Sequence, residues 1–263
     1  MIDFIFWPLI TCFVLILIHG YFGAFVLRRG IIFIDLALAQ WAALGYLVGH
    51  WLGIQSSASL FLVAFFGTVL ASLMLVGLKS MLEKINLQEA SIGVMYIFAT
   101  TLAMVLISST GMEGHHLKEM LSGHLLFVQP MDVISATVLY GVIALVVYNI
   151  HHHLLSSQSK RVDLIFYILF GLVVTSSVKM VGVLLVFSFL VIPLLTVRLF
   201  TEAFKTQLLS AWVLGCIGAT FGVLLALILD IPLSLCVILA YVTCFFSAAI
   251  IKHLNIHFIK NQP

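Results

Sequence analysis

Charge is what this sequence lacks most. Lys, Arg, Asp and Glu supply 8% of its 263 residues against 63% hydrophobic ones, which leaves too little polar surface to cover a water-soluble globule. The net charge of +2 offers no argument for a nucleic-acid partner. The four cysteines, Cys12, Cys216, Cys236 and Cys244, lie in apolar stretches without C-x-x-C spacing. That argues against a zinc knuckle or a disulfide framework and reads as small packing residues. No G-x-x-x-x-G-K-[ST] loop occurs, so the chain does not bind ATP in the Walker manner. H-E-x-x-H, a nucleophile elbow and paired carboxylates are missing too, which speaks against an enzyme. Proline is sparse. Pro8, Pro130 and Pro232 fall near helix starts, where proline is tolerated, whereas Pro193 falls inside an apolar run and predicts a kink or break there.

What remains is apolar sequence cut by Pro, Gly and charge into about nine stretches near the roughly 20 residues needed to cross a bilayer. They lie near 6–27, 31–53, 59–78, 91–109, 132–150, 163–178, 181–200, 208–229 and 232–251, with 163–178 the shortest. Backbone hydrogen bonding in lipid requires these to be helices, so the expected fold is all-α, one integral membrane domain over 1–263. Arg28, Arg29, Lys79, Lys84, Lys160, Arg161, Arg198, Lys205, Lys252 and Lys260 fall on one side of such a chain, and only Lys118 and Lys179 on the other. Because cytoplasmic loops hold the excess of Lys and Arg, the N-terminus is expected outside and the C-terminus in the cytoplasm. The first run has no basic n-region and continues into Arg28-Arg29, so it reads as a true span.

Ionisable groups inside a membrane mark pathways or pairings. Asp35, within Ile31-Ile32-Phe33-Ile34-Asp35-Leu36-Ala37-Leu38-Ala39-Gln40, is the leading pathway candidate, with pairing to an interfacial Arg as the alternative. Gln40 adds a second polar side chain, but at 100° per residue it lies about 140° from Asp35 and shares its face only if the helix bulges. The loop 110–131 holds Glu113, His115, His116, Glu119 and His124. Imidazole with carboxylate suits zinc or manganese, though the spacing matches no fixed ligand template and solvated loop polarity explains it equally well. His151-His152-His153 reads as headgroup or helix-dipole contact at a helix end. Buried His19 reads as an interhelical hydrogen bond. Gly218-x-x-x-Gly222 has the spacing for close helix packing. Asn86-Leu87-Gln88-Glu89 resembles a capping box that starts the fourth span, and Lys79–Glu89 is a candidate surface helix.

Several segments together resemble the permease subunits of ABC-type zinc, manganese and iron importers. They are Gly23-Ala24-Phe25-Val26-Leu27-Arg28-Arg29 with Asp35, Gln88-Glu89-Ala90-Ser91-Ile92-Gly93 with Phe98-Ala99, Val178-Lys179-Met180-Val181-Gly182-Val183-Leu184-Leu185-Val186 through Leu190-Val191-Ile192-Pro193 to Arg198, and Leu225-Ala226-Leu227-Ile228-Leu229-Asp230-Ile231-Pro232-Leu233-Ser234. The resemblance implies a fold like the vitamin B12-type (type II) importer permease, in a bacterial inner membrane. It also implies a homodimer, two cytoplasmic ATP-binding subunits, an extracytoplasmic metal-binding protein, and no tightly bound cofactor beyond the transported zinc or manganese. Asp35 matches the acid of the family's Asp-x-x-x-His pair, while Ala39 stands at the usual His position and Gln40 aligns only with an inserted residue. Where relatives carry a longer ATPase-docking stretch, only His151–Arg161 stands here. Coupling is then expected at Lys160, Arg161, Glu89 and Lys205. The competing readings are an orphan metal sensor or assembly partner of the same fold, and an ATPase-independent cation carrier.

Overall fold

Apolar runs bounded by Gly, Pro and basic residues fold, in the computed structural model, into long helices joined by short turns. The structure describes residues 2–82, 87–110, 123, 125–156 and 159–260. Among them nine α-helices follow one another: α1 (Ile2–Arg29), α2 (Ile34–Trp51), α3 (Ser57–Leu82), α4 (Gln88–Thr110), α5 (Pro130–Ser156), α6 (Lys160–Val181), α7 (Val183–Arg198), α8 (Phe204–Leu229) and α9 (Leu233–Lys260). One 3-10 turn, Leu125–Phe127, precedes α5. The described residues contain no strand. The expected all-α, multi-pass architecture is borne out, with each expected stretch matched by one helix.

Seven of the nine are long and apolar enough to cross a membrane on composition alone. The other two are α2, which carries Asp35, Gln40 and His50 in 18 residues, and α7, only 16 residues long. Both run inside the bundle, where length and polarity are less constrained because protein, not lipid, surrounds them. Thirteen of the 18 residues of α2 are buried, and it packs against α3, α4, α6 and α7. The outer helices are the opposite case. Of an 18-residue apolar stretch only 22% is buried in α4, and 28% in each of α5, α8 and α9, against 67% in α1.

Contacts at the helix ends define a two-ended bundle. At one end Arg29 and Lys79 meet Asp163, Glu89 meets Phe33, Arg198 donates to the Leu27 carbonyl, and Lys252 donates to the Leu199 carbonyl. At the other, Lys179 donates to Ser57 Oγ. The helix starts and stops alternate between these ends, so α2 and α7 traverse the bundle like the longer helices. The boundary expected between the sixth and seventh stretches falls at Gly182, whose φ of +82° ends α6 and begins α7, a conformation open to glycine because it has no Cβ. Helix α7 then runs through Pro193 to Arg198. Lys79 belongs to α3 and turns inward, and α3 continues to Leu82, so no surface helix begins at Lys79. At Gly218 and Gly222 a Cβ would strike the Tyr241 ring and the Val237 backbone, so this glycine pair seats α8 directly on α9.

Candidate functional site

The end of the bundle that gathers Arg28 and Arg29 holds three acids in or near the first turn of a helix. Asp35 opens α2 and Asp163 opens α6, where the partial positive charge of the exposed N–H groups favours a carboxylate. Glu89 opens α4.

Asp35 is fully buried, and neither of its carboxylate oxygens has a hydrogen-bond partner among the described residues. An isolated carboxylate held out of water is costly, which makes Asp35 the leading candidate site residue. The alternative, pairing with an interfacial Arg, is not what the structure holds: Arg29 is engaged elsewhere. Helix α2 is regular from Ile34 to Trp51, without the bulge that would swing Gln40 toward Asp35. Ala39, one turn on and offset by about 40°, shares the Asp35 face, and both Ala39 and Gln40 are buried.

Asp163 went unnoticed in the sequence. It is 1% exposed and paired twice, through Oδ1 to Arg29 Nη1 at 2.7 Å and through Oδ2 to Lys79 Nζ. Arg29 also lies 4.6 Å over the Phe166 ring. The signal was available: Asp163 follows Lys160-Arg161 into an apolar run, the same pattern that singled out Asp35, and an acid in that setting calls for a partner. The carboxylate of Glu89 reaches another helix. Its Oε1 accepts the Phe33 N–H at 3.0 Å, while Oε2 is buried without a partner among the described residues.

Lys160, Arg161 and Lys205 are exposed at this same end, at the starts of α6 and α8. Pro193 is buried within α7. His19, fully buried, makes the expected interhelical hydrogen bond, its Nε2 lying 3.2 Å from Ser177 Oγ. His151 departs from expectation: it meets Tyr21 Oη at 2.5 Å and packs against Phe25 and Phe204 instead of facing headgroups. Glu113, His115, His116, Glu119 and His124 lie outside the described residues, as does Asn86. Among the described residues no three His, Cys, Asp or Glu side chains come together as a metal site.

Residues 1–252 match the ABC 3 transport family. The chain belongs to that family. The manganese transport system membrane protein MntC of Halalkalibacterium halodurans is 25% identical over 241 residues, covering 87% of this chain and 80% of that protein. A probable iron transport system membrane protein of Haemophilus influenzae is 28% identical over 180 residues, 64% of this chain and 62% of that one. Among solved structures, PsaBC from Streptococcus pneumoniae in complex with Fab superposes with a TM-score of 0.75 at 20% identity, covering 93% of this chain and 90% of that one. The resemblance to ABC-type metal-ion importer permeases is thereby borne out, and the fold is that of an ABC permease. Family membership also makes the chain a transport subunit, not an enzyme.

Proposed function

We propose that this chain is the membrane-spanning half of an ATP-driven importer for a divalent transition-metal ion, manganese first, with Asp35 on the ion's path. The observation that carries this reading is the fully buried Asp35 carboxylate with no protein partner. The choice of manganese over zinc rests on donor chemistry. Carboxylate, carbonyl and water oxygens suit manganese, whereas imidazole suits zinc, and Ala39 occupies the position where an imidazole would join Asp35. The names of the manganese and iron relatives support the same class of cargo.

The basic end faces the cytoplasm on the positive-inside rule, with the N-terminus outside. Exposed Lys160, Arg161 and Lys205 are the candidate contacts for cytoplasmic ATP-binding subunits, with Glu89 a further candidate at the same end of the bundle. A second copy of the chain completes the path between two subunits, and an extracytoplasmic metal-binding protein delivers the ion, with His115, His116 and His124 as candidate contacts on that side. ATP binding on the partner subunits biases inward- against outward-facing arrangements.

The test is uptake of radiolabelled manganese(II) and zinc(II) into vesicles holding the chain with and without its ATPase partner and ATP. Manganese uptake only with both supports the reading, and uptake independent of the ATPase makes the chain a carrier. Asp35→Ala is expected to insert normally and abolish uptake. Undiminished uptake in that variant removes Asp35 from the path.

A further inference from the structure

Helix α2 starts without a cap of its own. Helix α1 ends in a tight turn in which the Ile31 N–H bonds the Val26 carbonyl and the Ile34 N–H the Ile31 carbonyl. The residue at the cap position of α2 is Phe33, whose side chain makes no capping hydrogen bond and whose ring instead stacks on Phe187 of α7, 6.4 Å between centroids and 8° from parallel. Aromatic residues cannot satisfy the free N–H groups at a helix start, where Ser, Thr, Asp or Asn normally do so.

The missing acceptor arrives from another helix. Glu89, 56 residues further on in α4, accepts the Phe33 backbone N–H through Oε1 at 3.0 Å. In a capping box the Glu of the first turn reaches back to the N–H of its own cap residue; here Glu89 performs that task across two helices. The turn it clamps is the one that carries Asp35, two residues beyond Phe33. We infer that Glu89 is a positioning residue for Asp35: it fixes the first turn of α2 against α4 and so sets where the Asp35 carboxylate stands. The inference rests on the assignment of Asp35 to the ion path.

A cap needs an acceptor at the right reach, not a charge, so conservative variants separate positioning from a direct role. Glu89→Gln keeps the carbonyl oxygen at full reach. Glu89→Asp keeps the charge but is one methylene short. The experiment is manganese(II) uptake by the full chain with its ATPase partner in vesicles, read as half-saturating concentration and maximal rate, with folded protein quantified for each variant and Asp35→Ala run in parallel. Glu89→Gln is expected to stay within about twofold of the parent. Glu89→Asp and Glu89→Ala are expected to raise the half-saturating manganese concentration about tenfold with the maximal rate kept, the scale of losing a group that orients an ion's ligand. The opposite order, with Glu89→Asp active and Glu89→Gln impaired, overturns positioning in favour of the charge acting on the ion. Parental kinetics in all three variants overturn it outright. If Asp35→Ala is inactive while Glu89→Asp matches the parent, only the positioning inference falls; if Asp35→Ala transports normally, the ion-path assignment itself falls.

Discussion

Asp35 in α2 and Asp163 in α6 occupy similar settings: the first turn of a helix, the same end of the bundle, a sequence position shortly after two basic residues, and an interior shielded from solvent. Their surroundings differ. Asp163 is held by Arg29 from α1 and Lys79 from α3, with Arg29 Nη2 3.5 Å from the Leu154 carbonyl of α5, so one carboxylate ties several helices at the basic end. Asp35 is met by no protein group among the described residues. A buried acid paired with two cations belongs to the architecture, and one that meets none among the described residues is the candidate for the proposed ion path. Burial alone does not distinguish function from structure; partnership does.

The contrast can be tested by removing each acid. Asp163→Ala removes the anion that Arg29 and Lys79 share, and breaking a buried pair from one side costs about 3–5 kcal/mol. Thermal unfolding of the purified protein in detergent is expected at a clearly lower temperature, and an unchanged midpoint would dissolve the distinction. Asp35→Asn should behave inversely. Stability is expected to hold or rise, because no partner is lost, while manganese uptake falls by about 100-fold or more, beyond the usual cost of losing a group that only supports a ligand. A stability loss with uptake retained would reverse the two roles.

Giving Asp35 a neighbour sharpens the comparison. Ala39→His sets an imidazole one turn along the same face of α2 and is expected to strengthen zinc over manganese by about tenfold, read from competition between the two ions in uptake. No change in preference would mean that the ion does not rest between positions 35 and 39. The smallest effect belongs to a buried polar group already paired within the protein. Ser177→Ala removes the hydroxyl facing His19, for about 0.6 kcal/mol, and uptake is expected to stay at the parental level. A loss of transport there would move His19 from packing to the path.

Much of the candidate site was legible from residue type and position. Asp35 stands out because a carboxylate in an apolar run is rare whatever the fold. His19 was readable because a buried imidazole in lipid needs a hydrogen-bond partner. The pairing of Asp163 was not legible, since Arg29 and Lys79 lie 134 and 84 residues from it in the chain and nothing local predicts which helices meet. The reach of Glu89 was not legible for the same reason: its spacing from Asn86 speaks only of its own helix, while its Oε1 accepts the N–H of Phe33, 56 residues away.

What the sequence alone determined is the class of solvent and the alternation of the helices. Hydrophobic content and the cost of unpaired backbone in lipid leave little else for a chain so poor in charge, and the lopsided distribution of Lys and Arg pairs the helix ends correctly. Two features were decided only by tertiary structure. Helices α2 and α7, short or polar for membrane spans, lie inside the bundle, and of two similar acids one is paired with two cations while the other meets no protein group among the described residues. Each depends on which helices become neighbours, and that follows from side-chain packing summed over the whole bundle, not from any local run of residues.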